Sequence, residues 1–148
     1  MDFYEKVRKL ARAARFNLQK DGNLKPVIII NTPDRPTFLD AAFKDVIEKG
    51  AVATKARKII NQYRADQYIV IAEIWIGTGE NDKIAPFQDP NRRDGIMVQG
   101  FHSDGRFLMI TIPFRRVSDS IIFEKEQEST DPSSSLGFFS NLFDFHGN

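Results

Sequence analysis

Apolar side chains recur at helical spacing from the start of the chain. Phe3, Val7, Leu10, Ala11, Ala14 and Leu18 share one stripe, with Arg8, Arg12 and Arg15 on the opposite side. Asp2 is placed to cap the first turn and Asp21-Gly22 to end the last, so the pattern predicts a helix over about residues 2–20. Phe16 falls on the polar side of that helix, where core packing gives it no role. The run Val27-Ile28-Ile29-Ile30, bounded by Pro26 and Thr32-Pro33-Asp34, predicts a buried strand over residues 25–32. Leu39, Ala42, Phe43, Val46 and Ile47 then form a helical stripe closed by Lys49-Gly50. A second stripe follows at Val52, Ala56, Ile59, Ile60 and Tyr63, and the two read as one kinked helix or two short ones meeting near Gly50.

The segment Tyr68–Gly77 is apolar on both of its alternating faces, which predicts a central strand covered on both sides. Residues 78–93 lack periodicity and carry Pro86 and Pro90, as a long connecting loop does. Gly95–Phe101 and Arg106–Phe114, joined through Ser103-Asp104-Gly105, predict a hairpin, and Ser120–Lys125 a last strand. This order predicts an α+β domain over residues 1–126, a mostly antiparallel sheet with helices packed on one face. Residues 127–135 are polar and read as a flexible linker. Residues 136–148 form an aromatic C-terminal tail containing Phe138, Phe139, Phe143 and Phe145.

Composition narrows the function classes. Cysteine is absent, which excludes disulfides, thiol nucleophiles, iron–sulfur ligation and cysteine-based zinc sites, and fits a reducing, cytoplasmic setting. The longest apolar stretch, Tyr68–Ile76, falls far short of the ~20 residues a membrane span needs, so no membrane role is expected. Formal net charge is +1, which gives no bulk bias toward nucleic acid. The charge is unevenly placed, however. Lys6, Arg8, Lys9, Arg12, Arg15 and Lys20 outnumber Asp2 and Glu5 at one end. At the other, Asp119, Glu124, Glu126, Glu128, Asp131 and Asp144 face a single Lys125.

Few residues offer chemistry. His102, Asp104 and Glu73 could together bind a divalent cation or act as general acid and base, the basis of a metal-dependent hydrolase or nuclease reading. A polar turn after a strand accounts for the same residues, and neither a resident metal nor another cofactor is expected. Gly77-Thr78-Gly79-Glu80 precedes no helix and reads as a turn rather than a phosphate cradle. For nucleic acid the candidates are the Arg8, Arg12 and Arg15 stripe, with Phe16 as a base-stacking ring, and the pairs Arg92-Arg93 and Arg115-Arg116. A solvated helix face is the plainer account. Greasy rings behind a polar tether either fold back on their own domain or enter a partner's apolar groove; in the second case Phe138, Phe139, Leu142, Phe143 and Phe145 are the anchors.

The sequence Ser140-Asn141-Leu142-Phe143-Asp144-Phe145 resembles the C-terminal peptides that tie polymerases and other replication proteins to sliding clamps, especially in tailed phages. It departs from them in being followed by His146-Gly147-Asn148. The resemblance covers six residues and implies a sliding clamp as the protein partner. A second resemblance rests on Leu18, Asp21-Gly22-Asn23-Leu24-Lys25-Pro26, Glu73-Ile74-Trp75 and Asp89-Pro90 ahead of Arg92-Arg93. Those features are similar to small proteins of bacteria and their phages, which implies a shared α+β fold and brings no activity with it. The expectation is a non-enzymatic accessory protein, recruited through its tail to a larger complex such as replication or transcription machinery.

Overall fold

The computed structural model describes residues 2–77, 93–137 and 139–143. The predicted 78–93 loop therefore lies outside the described residues, except for Arg93.

The first helix, α1 (Phe3–Asp21), begins where Asp2 accepts a hydrogen bond from the Glu5 N–H at 2.8 Å. It ends at Gly22, whose φ of 79° lets its N–H bond back to the Leu18 carbonyl. Its predicted stripe is the buried one: Phe3, Val7, Ala11, Ala14 and Leu18. After it come β1 (Val27–Ile30) and β2 (Thr37–Asp40), paired antiparallel with Ile28 opposite Leu39.

Here the reading of Leu39–Phe43 as helix gives way. Leu39 buries as an edge-strand residue beside β1, and the next helix waits for its own cap, Asp45, which accepts from the Glu48 N–H. That helix, α2 (Val46–Tyr63), runs unbroken through Gly50, where a Cβ would meet only open space.

Three long strands form the centre: β3 (Gln67–Ile76), β4 (Arg93–His102) and β5 (Phe107–Val117). The last two are β6 (Ser120–Phe123) and β7 (Gln127–Ser129). The sheet order is β2-β1-β3-β4-β5-β6, with β7 also on β5, and every described pairing is antiparallel. The protein is thus α+β, with a mostly antiparallel sheet.

The helices do not share one face, which corrects that detail of the expectation. Ile29, Ile69, Ile71, Ile96, Val98 and Ile110 face α1, whereas Ile28, Ile30, Tyr68, Val70 and Met97 face Ala56 and Ile60 of α2. Strands apolar on both sides demand cover on both sides. Gly100 lets α1 approach closely, because a Cβ there would run into the Val7 side chain and crowd the Phe3 ring at 3.1 Å.

The polar stretch taken as a linker is also more ordered than its composition suggests. Residues 127–129 pair with β5, and Pro132–Ser134 form one 3-10 turn. Phe123 sits opposite Phe114 and Gln127 opposite Thr111, so three residues, Glu124 to Glu126, span the two residues Ile112 and Pro113. That extra residue is a β-bulge, and it reverses which side chains point toward α1. Glu126 and Glu128 are the ones it turns there. They meet Arg15 at 3.0 Å and Arg8 at 2.9 Å.

Candidate functional site

Two polar side chains stand out inside the sheet. Tyr68 on β3 and Gln99 on β4 are 1% and 0% exposed, on the face away from α1. A buried hydroxyl or amide without partners costs free energy, so each must be satisfied. Both are satisfied by the backbone of the C-terminal segment. The Tyr68 hydroxyl donates to the Phe139 carbonyl at 2.7 Å and accepts from the Leu142 N–H at 3.1 Å. The Gln99 amide donates to the Leu136 carbonyl at 3.3 Å and accepts from the Leu136 N–H at 2.7 Å. Burial pushes the Tyr68 hydroxyl pKa up, which keeps it a donor.

From α2, Lys49 Nζ reaches the Gly137 carbonyl at 2.8 Å, and Arg57 Nη2 lies 3.4 Å from the Asn141 carbonyl and 3.3 Å from its Oδ1.

Side chains of the segment fill the space between these bonds. Phe139 and Leu142 are 4% and 2% exposed, and Phe139 meets Phe43 edge to face at 5.8 Å. Phe143 is half-buried against Tyr68 at 5.0 Å, and Tyr68 stacks on Phe101 at 4.8 Å. Phe139 has a φ of 58°, a left-handed conformation uncommon for a bulky residue.

Phe139, Leu142 and Phe143 thus pack on the chain's own sheet, the fold-back arrangement of the two open to the tail. The physical reason is that α2 fully buries only Ala56 and Ile60, leaving much of this sheet face for the segment to cover. Phe138 and Phe145 lie outside the described residues. The described residues of the segment do not reach Phe16, which is 67% exposed on the far side of α1. A lone glutamine in the apolar run Ile96-Met97-Val98-Gln99 was the sequence signal for this seat, since a buried amide requires a partner.

The triad of the hydrolase reading is dispersed. Glu73 pairs with Ile96 on β4, six ladder positions from His102 and so roughly 20 Å away at strand spacing. Glu73 instead bonds Arg116 at 3.0 Å, and Arg116 also contacts Asp94 at 3.3 Å and the Gly22 carbonyl at 3.2 Å, tying the sheet to the end of α1. His102 does meet Asp104, Nδ1 to Oδ1 at 3.0 Å, and its Nε2 lies 3.7 Å from Asp66. The Asp104 carboxyl is held below its usual range chiefly by the Arg106 N–H. The Asp66 carboxyl is lowered chiefly by the Asn31 amide. Among the described residues no group of three or more histidines and carboxylates is placed to hold a metal ion.

The basic stripe is largely neutralised. Arg8 makes a two-point contact with Glu128 at 3.0 and 2.9 Å, which holds the Glu128 carboxyl low. Arg15 pairs with Glu126 and lies over the Phe123 ring at 4.8 Å, while Arg12 has no ion pair among the described residues. Arg93 bonds Glu124 at 3.0 Å, and Arg92 lies outside the described residues. No helix of the described residues is long and apolar enough to cross a membrane.

The site is thus a seat on one sheet face in which buried side chains grip a peptide backbone. Comparison with protein families, curated proteins and solved structures finds no match to this chain.

Proposed function

We propose that this chain is a non-enzymatic interaction protein of the cytoplasm whose C-terminal segment is its recruiting element, held in reserve on its own sheet until a partner takes it. One observation carries this reading: the segment is bound as a ligand is bound. Its grip comes from four side-chain hydrogen bonds of Tyr68 and Gln99 to its backbone, outside the strand ladder. It can leave without breaking a strand pairing, and on leaving it presents Phe139, Leu142 and Phe143 to an apolar groove. The left-handed Phe139 lowers the cost of release. A sliding clamp is the first partner to test, on the likeness of residues 140–145 to clamp-binding peptides.

The test sets two kinds of full-length variant against each other in affinity capture. Tyr68→Phe and Gln99→Leu loosen the seat and leave the segment's sequence intact, so partner capture should rise. Leu142→Ser with Phe143→Ser spoils the segment, so capture should vanish. A segment that only completes the core predicts no opposition between the two, and that result would end the proposal.

A further inference from the structure

We propose that the seat beneath residues 136–143 is itself a peptide-recognition site, and that the occupant it accepts in trans is the same segment of a second copy of this chain. This inference rests on the segment being separable, as argued above. Tyr68 and Gln99 belong to β3 and β4, and their burial and aim are set by the sheet. They recognise backbone atoms of Leu136, Phe139 and Leu142, while the side chains of Phe139 and Leu142 fill apolar space beside them. Every one of these contacts is as available to a segment arriving from another copy as to the chain's own.

The connection permits the exchange. Between Ser129, the end of β7, and Leu136 the chain is polar and holds a single short 3-10 turn. Straightened, that link spans up to about 24 Å, enough to carry the segment away from its own sheet. A fitting occupant is already on view, since this segment and this seat are complementary as folded. What separates cis from trans docking is effective concentration, which for a short tether is of millimolar order. Exchange therefore grows with protein concentration, and grows most when one copy's own segment is disabled.

The chain has no cysteine, so introduced thiols are unique. Arg57 Nη2 lies 3.3 Å from Asn141 Oδ1, so cysteines at these two positions face each other across the seat. A full-length chain carrying both Arg57→Cys and Asn141→Cys should close internally with a short bis-maleimide. Copies carrying one each, mixed at rising concentration, should give a covalent dimer.

Adding Leu142→Ser to the Asn141→Cys copy should cut the dimer about tenfold or more. Adding it to the Arg57→Cys copy, which empties the seat, should raise it. Phe143→Ser serves in the same two positions if Leu142→Ser fails to fold. Absence of the dimer, or a yield indifferent to which copy carries the substitution, would overturn the inference. Partner capture reports on the segment and this cross-link on the seat, so the two proposals fail separately.

Discussion

The two faces of the sheet are covered by different means. On one, a capped helix of nineteen residues lays a continuous apolar stripe into the strands, and Gly100 removes its own side chain to let α1 come close. On the other, α2 buries two residues, and a segment without regular structure completes the cover through hydrogen bonds from Tyr68 and Gln99 to its backbone. Cover by an apolar stripe is cooperative with the fold. Cover by side-chain grips on a backbone can open locally, because no ladder ends with it.

The largest expected effect tests that contrast directly. Leu18→Ala, in the α1 stripe, should cost about 2–5 kcal/mol of global stability in urea unfolding. Leu142→Ala, almost equally buried, should cost roughly half that, because its loss is limited by the free energy with which the segment docks. Native-state hydrogen exchange sharpens the point: amides of 136–143 should exchange through an opening insensitive to low denaturant, and those of α1 only with global unfolding. Equal costs and equal exchange would show the segment to be ordinary core.

Next in size is Gln99→Leu. It leaves the Leu136 N–H and carbonyl without their partner, at about 1–3 kcal/mol in thermal or urea unfolding. Tyr68→Phe should cost about the same or less and should speed exchange at the Leu142 amide, which loses its acceptor.

The smallest effect belongs to the ion pair of Arg8 with Glu128. Both side chains are well solvated, at 44% and 33% exposed, so Glu128→Gln should move the melting temperature only slightly, and salt should erase the difference. Its sign with pH follows from the depressed Glu128 carboxyl. The contribution is complete above the ordinary value of 4.5 and is lost as pH falls through the lower folded value. A wild-type minus Glu128→Gln difference that grew on acidification would contradict the pairing.

Several elements were legible in the residues. The α1 stripe, its Asp2 and Gly22 ends, the β4–β5 hairpin and the two-sided apolar character of β3 all follow from spacing, since helix and strand periods are local properties of the chain. Leu39 was not legible, because its spacing to Ala42 and Phe43 matches a helical stripe, the four-residue strand is too short to show its own period, and only the pairing with Ile28 reveals it. The uneven charge was visible but not its use. Arg8 and Glu128 stand 120 residues apart, and only the bulge after β6 turns the glutamate toward α1.

The order of chain patterns alone determined an α+β protein with a largely antiparallel sheet, and identified its C-terminal aromatics as side chains that must be buried somewhere. The tertiary structure decided where Phe139 and Phe143 go: beside Tyr68, on the face that α2 leaves thinly covered. It likewise took Glu73 away from His102, by placing them six ladder positions apart in one strand pairing. The reason is common to both. Hydrophobicity states that a side chain will leave water, whereas which surface receives it depends on what every other element has already covered.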